Sequence, residues 1–410
     1  MYIAVLLKRI YNYVELVFKK ESYSVNKVRL GVIGFGNMGT THCSNVYNGK
    51  VPGMELGAIC DIAEERRNAA KERYSDVPVF DNVTDLYKSG TCDVVIVAVP
   101  HYDHPALVME AFNHGLNVIT EKPAGVYTAQ VKEMNEAAAK SDKLFGIMYN
   151  QRTNPMYQKI RNMVQSGELG HIKRISWIIT DWYRPQAYHD SGSWRSTWKT
   201  EGGGTLINQN PHQLDLWQWM FGMPDKITSH VSFGKYYDIE VEDDVTAFFE
   251  YENGTTGTYI TSTGEWPGTN RLEIACDMGK IVVENEKMVF YRTVESEREF
   301  NRKNTSAFGR VEYWKCEIPV SGSGEQHVGI LKDYTKVLLE GGSLLSPGEE
   351  GIFGLTISNA IHYSAWTGKT VDVKNFDHEG FYNMLQEKIE NSTVDKSNIK
   401  QVVSETRGTY

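Results

Sequence analysis

The 410-residue sequence predicts a doubly wound, parallel α/β domain followed by an α+β domain built on one large, mainly antiparallel sheet. Three observations predict it. Short apolar runs alternate with helical stretches from Lys27 to Asn150. A Gly-x-Gly-x-x-Gly turn lies between the first strand and the first helix. After Asn150 that alternation gives way to strand after strand with turn signals between them.

Val28 to Ile33 is apolar and rich in β-branched residues, as a strand buried on both faces should be. Gly34, Gly36 and Gly39 follow directly, and a helix continues to about Tyr47. MELGAICD is a second strand ending at Asp61, and EERRNAAKERY reads as a helix. Then come a short strand around Pro78–Phe80, a helix around Thr84–Lys88 and the apolar strand DVVIVAVP, which ends at Pro100. A helix over Pro105–Asn113, the strand LNVITEKP, a helix over Thr128–Lys140 and the strand KLFGIMYN complete the first domain. A helix over Pro155–Gln165 opens the second and leads into the alternating strand IKRISWIITDWYR. After a polar, aromatic loop, GGGTLINQNPHQLDLWQWMFG reads as a helix. From Lys226 to about Val320 strands dominate, with Asn253-Gly254 marking a hairpin. Helices return over Val328–Leu339 and Gly348–Trp366, and the polar tail from Lys374 is given no element. The chain divides into an extension (1–24), a first domain (25–150) and a second (151–410). The extension is expected to stem from a misassigned start, with Val25 encoded by an alternative start codon. A surface helix is the alternative there, since Ile3, Leu6, Leu7, Ile10 and Val14 recur at helical spacing.

A formal net charge of -9 argues against a protein that works on a nucleic-acid backbone. Cys43, Cys60, Cys92, Cys276 and Cys316 are scattered, odd in number and form no Cys-x-x-Cys pair. They are read as buried free thiols of a cytoplasmic protein, with neither a disulfide framework nor a metal site. No apolar run is long enough to span a membrane, and Lys8 and Arg9 interrupt the apolar N-terminus as a secretory signal would not.

The glycine motif has a physical reading. Gly34 permits the tight turn, Gly36 lets backbone approach a pyrophosphate, and Gly39 lets helix and strand pack closely. Phe35, Asn37 and Met38 complete a loop that presents helix N-terminal N–H groups to phosphate. Asp61 ends the second strand 22 residues after Gly39 (61 − 39), where a carboxylate meets the adenosine ribose hydroxyls. The expected cofactor is NAD rather than NADP, because Asp61 would repel a 2′-phosphate; nearby Arg66 and Arg67 are what would favour NADP.

Glu121-Lys122-Pro123 after the fifth strand, then GGG-x-L-x-x-x-x-x-H-x-x-D from Gly202 to Asp215, follow that Rossmann pattern. Together these motifs resemble the glucose–fructose oxidoreductase/inositol 2-dehydrogenase/MocA (Gfo/Idh/MocA) family, from about Lys27 to at least Asp372. The resemblance implies an NAD(P)-dependent oxidoreductase whose second domain is an open-faced sheet that binds substrate and makes homo-oligomer contacts. It places Lys122 beside the nicotinamide and the reacting hydroxyl, His212 as the catalytic histidine, and Pro100, His104 and Glu121 near the cofactor. His101 lies in the same turn. The family often has an aspartate where this chain has Asn208, which can hydrogen-bond a sugar hydroxyl but holds no charge.

These roles agree with the chemistry of the residues. The cofactor carries the hydride, while the protein orients the substrate and moves the hydroxyl proton. Histidine titrates near neutrality and suits general acid–base work. A lysine beside the oxygen can stabilise developing negative charge. Asn210-Pro211 also reads as an N-cap followed by Pro at the first helical position. On the substrate side, a sugar needs flat apolar faces and hydrogen-bond partners. Trp182, Tyr183, Arg184, Tyr188, Trp194, Arg195 and Trp198 meet that need as a set, with Arg152, Glu265-Trp266 and Asn270-Arg271 as further candidates. The expected function is hydride transfer at a secondary alcohol of a sugar, polyol or glycoside, with C3 of a glucoside one option. A redox-assisted glycoside-cleaving enzyme and a non-catalytic NAD- and sugar-binding regulator are the alternatives.

Overall fold

The computed structural model describes residues 27–394 and Lys396; the extension 1–24 lies outside the described residues. The first sheet comprises β1 (Val28–Ile33), β2 (Met54–Cys60), β3 (Val79–Phe80), β4 (Val94–Val97), β5 (Asn117–Thr120) and β6 (Phe145–Ile147). They lie in the order β3-β2-β1-β4-β5-β6, every pairing parallel. All four β4 side chains are buried, as a central strand covered on both faces requires. The helices α1 (Asn37–Tyr47), α2 (Glu64–Arg73), α3 (Val83–Lys88), α4 (His104–Asn113) and α5 (Thr128–Lys140) alternate with the strands. The chain order reverses between β1 and β4, which opens a crevice at the strands' C-terminal ends.

After α6 (Pro155–Gln165) come β7 (Ile172–Ile179), the short α7 (Gln186–His189) and α8 (Pro211–Phe221). β8 (Lys226–Phe233), β9 (Glu242–Glu250), β10 (Thr256–Ser262), β11 (Asn270–Cys276), β12 (Gly279–Glu284), β13 (Lys287–Thr293), α9 (Glu297–Lys303) and β14 (Tyr313–Ile318) follow. Last are α10 (Gln326–Glu340), α11 (Gly351–Thr367), β15 (Val371–Asp372) and α12 (His378–Glu390). The second sheet has nine strands, β14-β13-β12-β11-β7-β10-β9-β8-β15. It is antiparallel except between β7 and β10. Alternate residues such as Val245, Ala247, Phe249, Leu272, Ile274 and Ile281 pack into one core with Leu214 and Trp217 of α8 and Ile357 and Ile361 of α11. The other face carries a lattice of part-exposed ion pairs, Arg174–Glu273, Lys280–Glu273 and Arg271–Glu284. Four cysteines are buried free thiols, and Cys316 is only partly buried.

Three expectations are corrected. Residues 202–210 are not helical: Gly202 and Gly203 have φ of +85° and +154°, so α8 starts only at Pro211. Helices α9 and α12 were not foreseen, α9 because it is a polar, wholly unburied segment among strands. Asn210 precedes Pro211 as expected but caps nothing with its side chain, because its amide bonds Thr205 Oγ1 and its carbonyl oxygen accepts from Tyr259. Packing also runs across residue 150. Ile330, Leu331 and Tyr334 of α10 join the core of β1, β2 and β4, and the Tyr334 hydroxyl donates to Leu144 O at 2.8 Å. Among the described residues no helix is long and apolar enough to cross a membrane.

Candidate active site

The glycine turn behaves as its spacing predicts. Gly34 has φ +92°, and a Cβ there would lie 2.4 Å from Ala98 O. A Cβ on Gly39 would lie 1.7 Å from Gly34 O, so only glycine lets α1 come this close to β1. A Cβ on Gly36, by contrast, would meet nothing nearer than Arg66 Nη1 at 3.7 Å. That space fits the backbone approach of a pyrophosphate. The first turn of α1 holds no acidic side chain to compete for the helix's positive end. Asp61 is buried, and its two oxygens accept from Phe35 N (2.7 Å) and Ala63 N (2.8 Å), which ties β2 to the loop. An ionised carboxylate still has acceptor capacity for ribose hydroxyls. Arg66 Nη1 lies 3.4 Å from it, whereas Arg67 bonds the carbonyls of Asp61 and Ile62. Pro100 is exposed at the end of the β4 segment.

Lys122 emerges just past β5. The preceding Glu121 points inward, where its carboxylate meets His42 Nε2 of α1 at 2.7 Å. Burial alone would raise that carboxyl, but the His42 contact outweighs it and brings it down to about 2. Glu121 therefore acts as a brace between β5 and α1. Lys122 Nζ reaches across to the second domain and donates to Asn208 O at 2.8 Å. Four residues on, His212 sits in the first turn of α8, 3% exposed, its ring 6.5 Å from that of Tyr149. Burial and the Lys122 charge hold it well below its ordinary pKa, so it is neutral at pH 7. Its Nδ1 is buried with no hydrogen-bond partner among the described residues. A buried polar atom left in that state fits a site completed by a ligand. Lys122 itself is lowered chiefly by burial, against the pull of Glu121.

The loop between β7 and α8 gathers most of the other candidates. Arg195 lies over Tyr188 at 4.4 Å and over Trp194 at 4.5 Å, while Arg184 lies 5.2 Å from the Tyr188 ring centre. Tyr188 Oη accepts from Arg195 Nη1 and Gln209 Nε2. Trp194 packs edge-on to His101, and Tyr183 pairs with the exposed Trp266.

Several expected contacts are redirected. Arg152 is fully buried, with a two-pronged pair to Asp215 (2.8 and 2.6 Å) and a third bond to Glu350, so it holds the fold and does not face a substrate. Both His104 ring nitrogens lie 2.8 Å from backbone carbonyls, those of Pro123 and Val99, which makes it a clamp on the loop around Lys122. Trp198 is a core residue against His362 and Trp366. Asn270 bonds Trp177 and Asp181, and Arg271 pairs with Glu284 on the open face. Two acids escaped the sequence reading. Glu242 accepts from Gly204 N and Leu206 N and so fixes the glycine turn, a role for which nothing local in the sequence signals. Glu201, just before the three glycines, bonds the Asn208 side chain; its place in the motif was the signal.

Residues 28–149 match a family model described as "Oxidoreductase family, NAD-binding Rossmann fold". Residues 157–282 match one described as "GFO/IDH/MocA C-terminal domain". The rhizopine catabolism protein MocA of Rhizobium meliloti is 27% identical over 199 residues, 48% of this chain and 58% of that one. D-Glucoside 3-dehydrogenase of Escherichia coli is 27% identical over 257 residues, 57% of this chain and 70% of that one. The chain thus matches little more than half the length of the first such relatives, 58% and 56% for the first two. Among solved structures, the WlbA dehydrogenase from Bordetella pertussis in complex with NADH and UDP-GlcNAcA superposes with a TM-score of 0.71 at 24% identity, over 84% of this chain and 98% of that one.

Proposed function

Because this chain belongs to the Gfo/Idh/MocA oxidoreductase family, with its NAD-binding Rossmann fold, we propose that it transfers a hydride between NAD and a secondary alcohol carbon of a sugar, polyol or glycoside. The observation that carries this reading is the meeting of Lys122 Nζ with Asn208 O beside a buried, neutral His212, at the C-terminal edge of the glycine-turn sheet. The names of the relatives point to the same substrate class, and the glucoside 3-dehydrogenase supports C3 of a glucoside as the finer assignment.

Nicotinamide, when bound, would supply the hydride acceptor, and the rest falls to the protein. The Lys122 ammonium has three donors, one spent on Asn208 O, which leaves it able to donate to the substrate oxygen as negative charge develops there. His212, neutral through burial, accepts the hydroxyl proton at an imidazole nitrogen. Arg184, Trp194, Arg195 and Tyr183 supply stacking surface and donors for the rest of the sugar. Asp61 favours NAD. The part-exposed face of the nine-stranded sheet is the surface on which a homo-oligomer would assemble.

The test is absorbance at 340 nm with purified protein, NAD+ or NADP+, and a panel of monosaccharides, inositols and glucosides. NADH should accumulate with one sugar class, faster with NAD+ than NADP+. Lys122→Ala and His212→Ala should each abolish turnover while cofactor still binds. Full turnover in either variant removes that residue from the mechanism.

A further inference from the structure

Position 208, where the family often has an aspartate, holds an amide, yet a carboxylate is buried against that amide. Glu201 is 2% exposed. One of its oxygens accepts from Asn208 Nδ2, the other from Ser196 N at 2.5 Å, and Arg195 Nη1 stands 3.9 Å away. Its backbone carbonyl oxygen lies 3.0 Å from His101 Nδ1. The backbone oxygen of the same Asn208 receives Lys122 Nζ at 2.8 Å. Carboxylate and ammonium therefore flank one residue, the first on its side chain and the second on its main chain.

We propose that Glu201, acting through Asn208, supplies the negative charge that the usual aspartate would bring, and so keeps the Lys122 ammonium protonated and aimed at the reacting oxygen. Glu201 touches neither substrate nor cofactor in this scheme; it is a positioning residue. The proposal rests on the role given to Lys122 above.

The charges around the lysine make the case. Burial lowers Lys122, Arg195 and Arg184 push the same way, and Glu121 and Glu201 oppose them. Glu121 is already engaged with His42. His101, His212 and His327 also face the lysine, but burial holds each below its ordinary pKa, so they bring no charge near neutrality. Around Glu201 itself, burial comes first and with Glu242 leaves the carboxyl above its ordinary value, while Arg195, Ser196 N and Asn208 favour the ionised form. Lys396 faces it from the C-terminal segment. Loss of the Glu201 charge would leave the lysine facing two arginines with Glu121, already paired with His42, to balance them. A local field of this kind acts over several ångströms in a dry interior.

The experiment reads the lysine directly, without turnover. The full chain is trace-labelled with acetic anhydride across a pH series, and acetylation of Lys122 is quantified by mass spectrometry. Wild type is compared with Glu201→Gln and with the exchange Glu201→Gln/Asn208→Asp, in which an amide and a carboxylate still face each other but the charge has moved. Thermal melts report that each variant is folded, and Glu201→Asp is a charge-retaining substitute. The apparent pKa of Lys122 should fall by about one unit in Glu201→Gln and return in the exchange or in Glu201→Asp. The alkaline limb of kcat/KM should move with it. An unchanged lysine in Glu201→Gln, or a fall that neither charge-retaining variant reverses, overturns the proposal. A wild type that oxidises no polyol would instead overturn the assigned function, since the labelling does not depend on it.

Discussion

His212 and Lys122 are ninety residues apart (212 − 122), and each could be read from its own short motif because the motif is local. That Lys122 bonds Asn208 O, four residues before His212, could not, since it depends on a main-chain atom of a turn formed by three glycines. Arg152 was misread for a related reason. Its partners Asp215 and Glu350 lie 63 and 198 residues away, and a lone arginine at a domain entrance looks the same whether it is paired or free. Two outcomes belong at this scale. If neutral His212 takes the proton, its depressed pKa puts the acid limb of kcat/KM for alcohol oxidation below pH 6.5, and a pH–rate profile checks this. Asp215→Ala leaves the buried Arg152 guanidinium with Glu350 as its remaining acid partner and should cost about 3 kcal/mol, read from denaturant unfolding.

The glycine turn and the loop before α8 differ in how much of them the sequence disclosed. The first is a βα unit whose geometry is set by residues within one turn, so Gly34, Gly36 and Gly39 carried it complete. The second takes its shape from Glu242 at the start of a strand some forty residues later, and no local pattern announces that. Its aromatic composition suggested a binding surface, but Trp198 turned out to serve the core because His362 and Trp366 of α11 stand beside it. The glycine turn gives a paired expectation. Gly36→Ala should leave the melting temperature nearly unchanged and weaken NAD binding at least about tenfold, since its Cβ clashes only with what binds there. Gly39→Ala drives a methyl into Gly34 O and should lower the melting temperature by several degrees. Differential scanning fluorimetry with and without NAD separates the two.

At the scale of the molecule, the alternation of strand and helix and its later loss were enough to foresee both sheets. The sharing of cores was not, because a helix's sequence shows that it has an apolar face but not which sheet the face meets. The assembled fold also buries neutral histidines. His189 and His327 are both lowered to about 4, by burial first. The unfolded chain takes up their protons near 6.5, and the folded chain resists until about 4. Stability is therefore fully present above about pH 6.5 and falls as pH drops toward 4, by up to a few kcal/mol. Urea midpoints at pH 7 and pH 4.5 check the sign, and His189→Gln should flatten part of the slope.

Helix α10 returns from the second domain to cover the first sheet, and this has a consequence for synthesis. The nucleotide-binding half has all six of its strands once Ile147 has emerged from the ribosome, but Ile330, Leu331 and Tyr334 are still to be made. Until they arrive, part of the surface over β1, β2 and β4 stays wet, at a cost of about 2 kcal/mol for each missing side chain. The nascent chain must therefore wait, with its first domain open on one side, for nearly two hundred further residues to be translated. A fragment ending at residue 150 is in effect that waiting state, and it should expose dye-binding apolar surface that the whole chain conceals.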